Sequence, residues 1–208
     1  MKNFKRIGFV MTLMMFIWCD FRPFPANAQG AISPPIVVGV SINESGLPVV
    51  SSGWPLLVSV IIMNENAYQS NVLPVSLTPA WKNSLHIIIR NAEGKIVSWP
   101  FHLVPTASED IILDSKIYAQ VGFWLEPDET NQITPEQYEL TAILDSSAYP
   151  SLGSNVLSAR SGTLGITISN ESGSLTIGQR TDKDFLLANL NILKGDNNKA
   201  LEYLSGIL

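Results

Sequence analysis

From Ile36 to Ile168, apolar side chains recur at every second position in short runs broken by turn residues. Ile36, Val38, Val40 and Ile42 form one such set, and Leu56, Val58, Val60 and Ile62 a second. Ile117, Ala119, Val121, Phe123 and Leu125 form a third, Tyr138, Leu140, Ala142 and Leu144 a fourth, and Leu164, Ile166 and Ile168 close the series. A period of two puts each set on one face of a strand. No helix-length segment separates the runs, so the pattern predicts a mainly β fold of antiparallel sheets packed as a sandwich.

One hairpin can be specified further. Asn91-Ala92-Glu93-Gly94 has the form of a type I turn whose glycine takes the left-handed position. That turn pairs Asn91 with Lys95, Ile89 with Val97, Ile87 with Trp99 and Leu85 with Phe101, with all six apolar side chains on one face. His86 and His102 then become diagonal neighbours on the other face, at a spacing from which two imidazoles could share a metal. Pro100 cannot donate to a ladder, so its strand is expected at an edge.

After Ser172 the period changes. Thr181 with Asp184 three residues on has the form of a helix start, and Leu186, Leu190 and Leu193 recur at helical spacing before Gly195. Asp196 opens a second helix with Ala200, Leu201, Leu204, Ile207 and Leu208 assigned to one stripe. The organisation expected is a sandwich over 29–172, a linker over 173–180 and a C-terminal α-hairpin over 181–208.

Two resemblances follow. Glu136-Gln137-Tyr138-Glu139-Leu140-Thr141-Ala142 resembles the late strand of immunoglobulin-like and fibronectin-type sandwiches. The resemblance implies a tyrosine corner, in which the Tyr138 hydroxyl bonds back to backbone upstream. Leu140 stands where immunoglobulin domains carry their second cysteine, so no disulfide is implied. The hairpin is similar to a single tetratricopeptide repeat at Leu187-Ala188, Gly195-Asp196, Ala200 and Leu201-Glu202-Tyr203-Leu204, with Asn191 departing from the pattern. Such families stack three or more units into a groove, so one unit implies no peptide groove.

The N-terminus changes the charge account. Lys2, Lys5 and Arg6 precede an uncharged run, Ile7 to Trp18, and small residues stand two apart in Ala26-Asn27-Ala28. This is the plan of a secretory signal peptide over 1–28, with the mature chain starting at Gln29. The run of 12 residues falls short of the roughly 20 that span a bilayer as a helix, so no membrane span is expected after cleavage. Cleavage would remove four of 13 basic and one of 18 acidic side chains, turning the net charge of −5 into −8. An acidic surface without a basic run disfavours nucleic acid as a partner. Cleavage also takes Cys19, the only cysteine. A cysteine-free exported domain fits a bacterial periplasm, cell surface or secreted setting better than a disulfide-rich eukaryotic one.

Chemical equipment is sparse. Two histidines, no nucleophile elbow, no phosphate loop and no zinc-protease helix give little basis for catalysis. No cofactor is expected and the protein is read as non-enzymatic. Glu126, Asp128 and Glu129 match no defined calcium loop and have the form of a charged turn. The expected partner is another protein, or a second copy engaged through the hairpin residues Leu201, Leu204 and Ile207. Trp81 and Trp124 are the candidates for an exposed contact, with packing between the sheets or beneath the hairpin as the ordinary role of such residues, and a glycan held on them is the alternative function. Inhibition of an extracellular protease is a third possibility, without a loop motif behind it.

Overall fold

The computed structural model describes residues 36–43, 48–65, 74–78, 80–104, 111–113, 118–149, 158–170 and 173–207. The expected signal peptide, Ile117 and Leu208 lie outside them. The period-two runs form two facing sheets. In the first, strands β1 (Ile36–Ile42), β3 (Leu56–Asn64), β9 (Ala119–Leu125) and β7 (His102–Leu103) lie in the order β1-β3-β9-β7. In the second, β2 (Val49–Ser51), β12 (Leu164–Ser169), β10 (Gln137–Leu144), β5 (Leu85–Asn91) and β6 (Ile96–Val97) lie in the order β2-β12-β10-β5-β6. β11 (Ala159–Arg160) takes over from β12 beside the end of β10. All of these pairings are antiparallel except that of β2 with β12, which is parallel.

The inward faces are the predicted ones. Ile42, Leu56, Val60, Ile62, Leu140, Ala142 and Leu144 are fully buried, within one continuous core. At about 25 cal/mol per Å² of apolar surface removed from water, this layer supplies the main driving force for folding. Tyr138 confirms the corner: its hydroxyl donates to the Thr134 carbonyl at 2.8 Å, fixing the approach to β10. Burial, together with the neighbouring Glu136 carboxylate, pushes the Tyr138 phenol up to about 12. Tyr149, wholly buried, donates to the Leu144 carbonyl and accepts from the Ala159 amide, tying β10 to β11. Strand order, corner and core make this an immunoglobulin-like sandwich.

Three expectations are corrected. The β5–β6 turn forms as predicted, with Asn91 N donating to Lys95 O and Gly94 at φ +76°. Ile89 pairs with Val97, but the ladder stops there. Pro100 lacks an N–H, and the Phe101 amide turns back onto the Trp99 carbonyl at 2.9 Å, so the chain bends away. It crosses to the other sheet, where His102 pairs with Trp124 and Leu103 with Phe123. The crossing still drives rings into the core: Trp99 meets Tyr138 edge-on at 5.0 Å and Phe101 meets Phe123 at 6.2 Å. His86 and His102 therefore belong to different sheets, and the shared metal site falls with the register that suggested it.

Secondly, a further two-stranded sheet lies outside the period-two runs: β4 (Val75–Leu77) pairs with β8 (Ile111–Leu113) and buries Val75, Leu77 and Leu113. Thirdly, the first C-terminal helix, α2 (Ile177–Lys194), starts before Thr181 and takes up the second half of the expected linker. Thr176 is its cap: Gln179 N donates to Thr176 Oγ1, and Gln179 Oε1 accepts from Thr176 N. Thr181 instead sits inside the helix, its hydroxyl donating to the Ile177 carbonyl.

Candidate interaction surface

The hairpin is built as two capped helices. α2 ends at Gly195, in the left-handed conformation at φ +81°, where an L side chain would be strained. Asp196 N donates to the Asn191 carbonyl, and Asp196 Oδ1 then accepts from Lys199 N to open α3 (Asn197–Ile207). Ala188, Leu190 and Asn191 of α2 and Ala200 of α3 are buried. Asn191, which departs from the repeat pattern, satisfies its amide by donating to the Leu187 carbonyl at 2.7 Å.

Not all of the apolar surface is used in this packing. Ile177, Phe185, Ile192 and Leu201 are exposed, by 84, 48, 50 and 64% respectively. Phe185 and Ile192 are seven residues apart, two helical turns, and so share one face of α2. On α3 the expected stripe divides. Leu204 and Ile207 are half-buried beside buried Ala200, whereas Leu201 is turned out. A rotation of 100° per residue separates adjacent Ala200 and Leu201, so both cannot face α2. Phe185 and Ile192 were missed in the sequence. The signal was available: α2 carries more apolar positions than one stripe can hold.

The hairpin meets the sandwich at one end. α2 runs against β3, Lys194 Nζ lies 2.8 Å from Glu126 Oε1, and Lys183 Nζ sits 5.8 Å from the centre of the Trp54 ring. The segment read as a charged turn is α1 (Pro127–Thr130), a single helical turn with proline at its first position. Its Glu129 carboxylate accepts from the Glu126 amide through Oε2 and meets His102 Nε2 through Oε1, both at 2.8 Å. Thr130, fully buried, donates to the Trp54 carbonyl, and Ser52 donates to the Asn131 side chain. Among the described residues, no group of three His, Cys, Asp or Glu side chains is placed to hold a metal. No described helix is long and apolar enough to cross a membrane.

Trp81 and Trp124, the candidates for an exposed contact, are both buried. Trp81 opens a 3₁₀ turn (Trp81–Ser84) and is 1% exposed within the sandwich core. Trp124 does point away from Phe123, as alternation requires, yet it is only 9% exposed. It pairs with Leu57 on one side and stacks on the His102 ring on the other, at 5.5 Å. Neither indole offers the open face that a sugar would stack on.

No protein-family model and no curated protein matches the chain. Solved structures share its outline at low identity. A family 123 glycoside hydrolase from Clostridium perfringens is 12% identical with a TM-score of 0.40 over 82% of this chain and 35% of that one. The chain thus spans about a third of that hydrolase's length. The CARDB domain of a Pyrococcus furiosus protein, in complex with di-metal ions, is 14% identical with a TM-score of 0.34 over 67% of this chain and 95% of that one. The ASH/PapD-like domain of human CEP192 is 9% identical with a TM-score of 0.35 over 74% and 97%. Strand order and the Tyr138 corner, rather than these likenesses, define the fold.

Proposed function

We propose that this is an exported, non-catalytic domain that makes protein–protein contacts in a bacterial cell envelope, through a helical hairpin similar to one tetratricopeptide unit. The observation behind this reading is the apolar surface left on the hairpin: Phe185 and Ile192 on one face of α2, and Leu201 on α3. A helix pair whose inner stripe is already buried, yet which keeps large side chains in water, fits a contact surface. The partner is a protein, either a second copy or another envelope component. Aliphatic and phenyl groups with no convergent polar set offer little to a sugar. The buried tryptophans remove the feature that motivated the glycan alternative.

Site-specific photo-cross-linking tests this. A benzophenone side chain at position 201 should give adducts with protein in cells that make the chain. The same group at position 49, an equally exposed valine on the other sheet, should give few. Equal yields from both positions would count against a hairpin interface. Export is tested separately by intact mass, which should show a mature chain starting at Gln29.

A further inference from the structure

Lys194 and His102 do not touch, yet a short series of contacts joins them. His102 Nε2 meets Glu129 Oε1 at 2.8 Å, and Glu129 Oε2 accepts from the Glu126 amide at 2.8 Å. Glu126 Oε1 meets Lys194 Nζ, again at 2.8 Å. One carboxylate therefore holds both the edge-strand histidine and the backbone of the residue whose side chain holds the hairpin. A parallel route runs through the same helical turn. Thr130 donates to the Trp54 carbonyl, and the Trp54 ring carries the Lys183 ammonium. Beside the packing of α2 on β3, these two contacts of its lysines with the sandwich thus pass through α1 or the backbone it pins.

The position of His102 gives the series a direction. It lies on β7, the edge of its sheet among the described residues, with Leu103 exposed beside it. Its ring stacks on Trp124, so moving it disturbs both Glu129 and the indole. Partly exposed contacts such as the Lys194–Glu126 ion pair and the His102–Glu129 hydrogen bond are individually weak, which suits them to a contact that opens and closes rather than a permanent clamp.

We infer that α1 couples edge strand β7 to the hairpin, so that a contact which takes His102 away from Glu129 loosens α2 from the sandwich. Coupling between two groups that do not touch requires an intermediate element biased by both, and Glu126–Glu129 is that element. The inference holds whatever the hairpin binds.

Hydrogen exchange on the full chain tests it through a double-mutant cycle. His102→Ala and Lys194→Ala should each speed exchange of the α2 amides about two- to five-fold while leaving β10 unchanged. Acting through the same α1, the double variant should exceed the larger single effect by little. His102→Ala combined with Lys199→Ala, a lysine on α3 outside the series, should simply multiply. If His102→Ala changes β10 exchange, Glu129→Gln replaces it, since it removes the charge with little change of shape. The inference is overturned if α2 exchange does not respond to His102→Ala or Glu129→Gln. It is equally overturned if the effects at 102 and 194 multiply independently.

Discussion

The hydroxyl of Tyr138 donates to the carbonyl of Thr134 at 2.8 Å, so the first residues of β10 are held by the turn that precedes them. The bond sits at the entry to β10, the central strand of the six-stranded sheet, against the Trp99 ring. Tyr138→Phe keeps the ring and loses the bond. The expected cost is about 1 kcal/mol, read from the midpoint of chemical denaturation.

The same residue gives an alkaline signature. Its phenol is held at about 12 in the folded chain, against an ordinary value near 10. The folded state therefore keeps its proton where the unfolded state loses it. The contribution is whole below pH 10 and is lost as pH rises toward 12. Denaturation midpoints measured from pH 9 to 11.5 should fall more steeply in the native chain than in Tyr138→Phe. Parallel curves would show that the phenol titrates alike in both states.

Gly122 lets β7 approach β9. A methyl group there would lie 2.8 Å from Val104 Cγ2, while Val104 N donates to the Gly122 carbonyl. Gly122→Ala should cost about 1–3 kcal/mol through this overlap. Val104→Ala removes the obstructing methyl, so the double variant should recover most of the loss. Additive losses in thermal denaturation would place the strain elsewhere.

At the hairpin, Thr176→Ala removes a side-chain cap and Gly195→Ala forces an L residue to φ +81°. Each should cost about 1 kcal/mol. Because the hairpin has buried residues of its own outside the sandwich core, the loss should appear as faster exchange in α2 and α3 before any change in β3 or β10.

Trp81→Ala tests the burial of that indole. A fully buried indole leaves a cavity costing about 3–5 kcal/mol. A surface platform would be nearly neutral, and a loss below about 1 kcal/mol would return Trp81 to the surface.

The sandwich was legible because its inward positions follow a strict period. Leu56, Val58, Val60 and Ile62 alternate without interruption and all four are buried. The β5–β6 turn was legible because Gly94 meets a requirement few residues can meet. What followed it was not: Pro100 marked an edge, but nothing local says that a strand changes sheets after Val97. The short β4–β8 pair escaped for a related reason. Three-residue strands show little periodicity, and their partners are decided by the rest of the fold. Alternation correctly turns Trp124 away from Phe123, but an outward position is not by itself an exposed one. His102 and Leu57 flank it, and both arrive through pairings that depend on tertiary structure. The helix start went wrong between two competing caps, Thr176 with Gln179 and Thr181 with Asp184. The earlier one prevails and starts the helix five residues sooner.

The central claim is that the hairpin is a protein-contact surface carried by the sandwich, and cross-linking from position 201 tests it most directly. Adducts that form at position 201 and are lost on adding Phe185→Glu and Ile192→Glu, with position 49 giving few, are the predicted result. Adducts that persist in that variant, or that form equally from position 49, would contradict it.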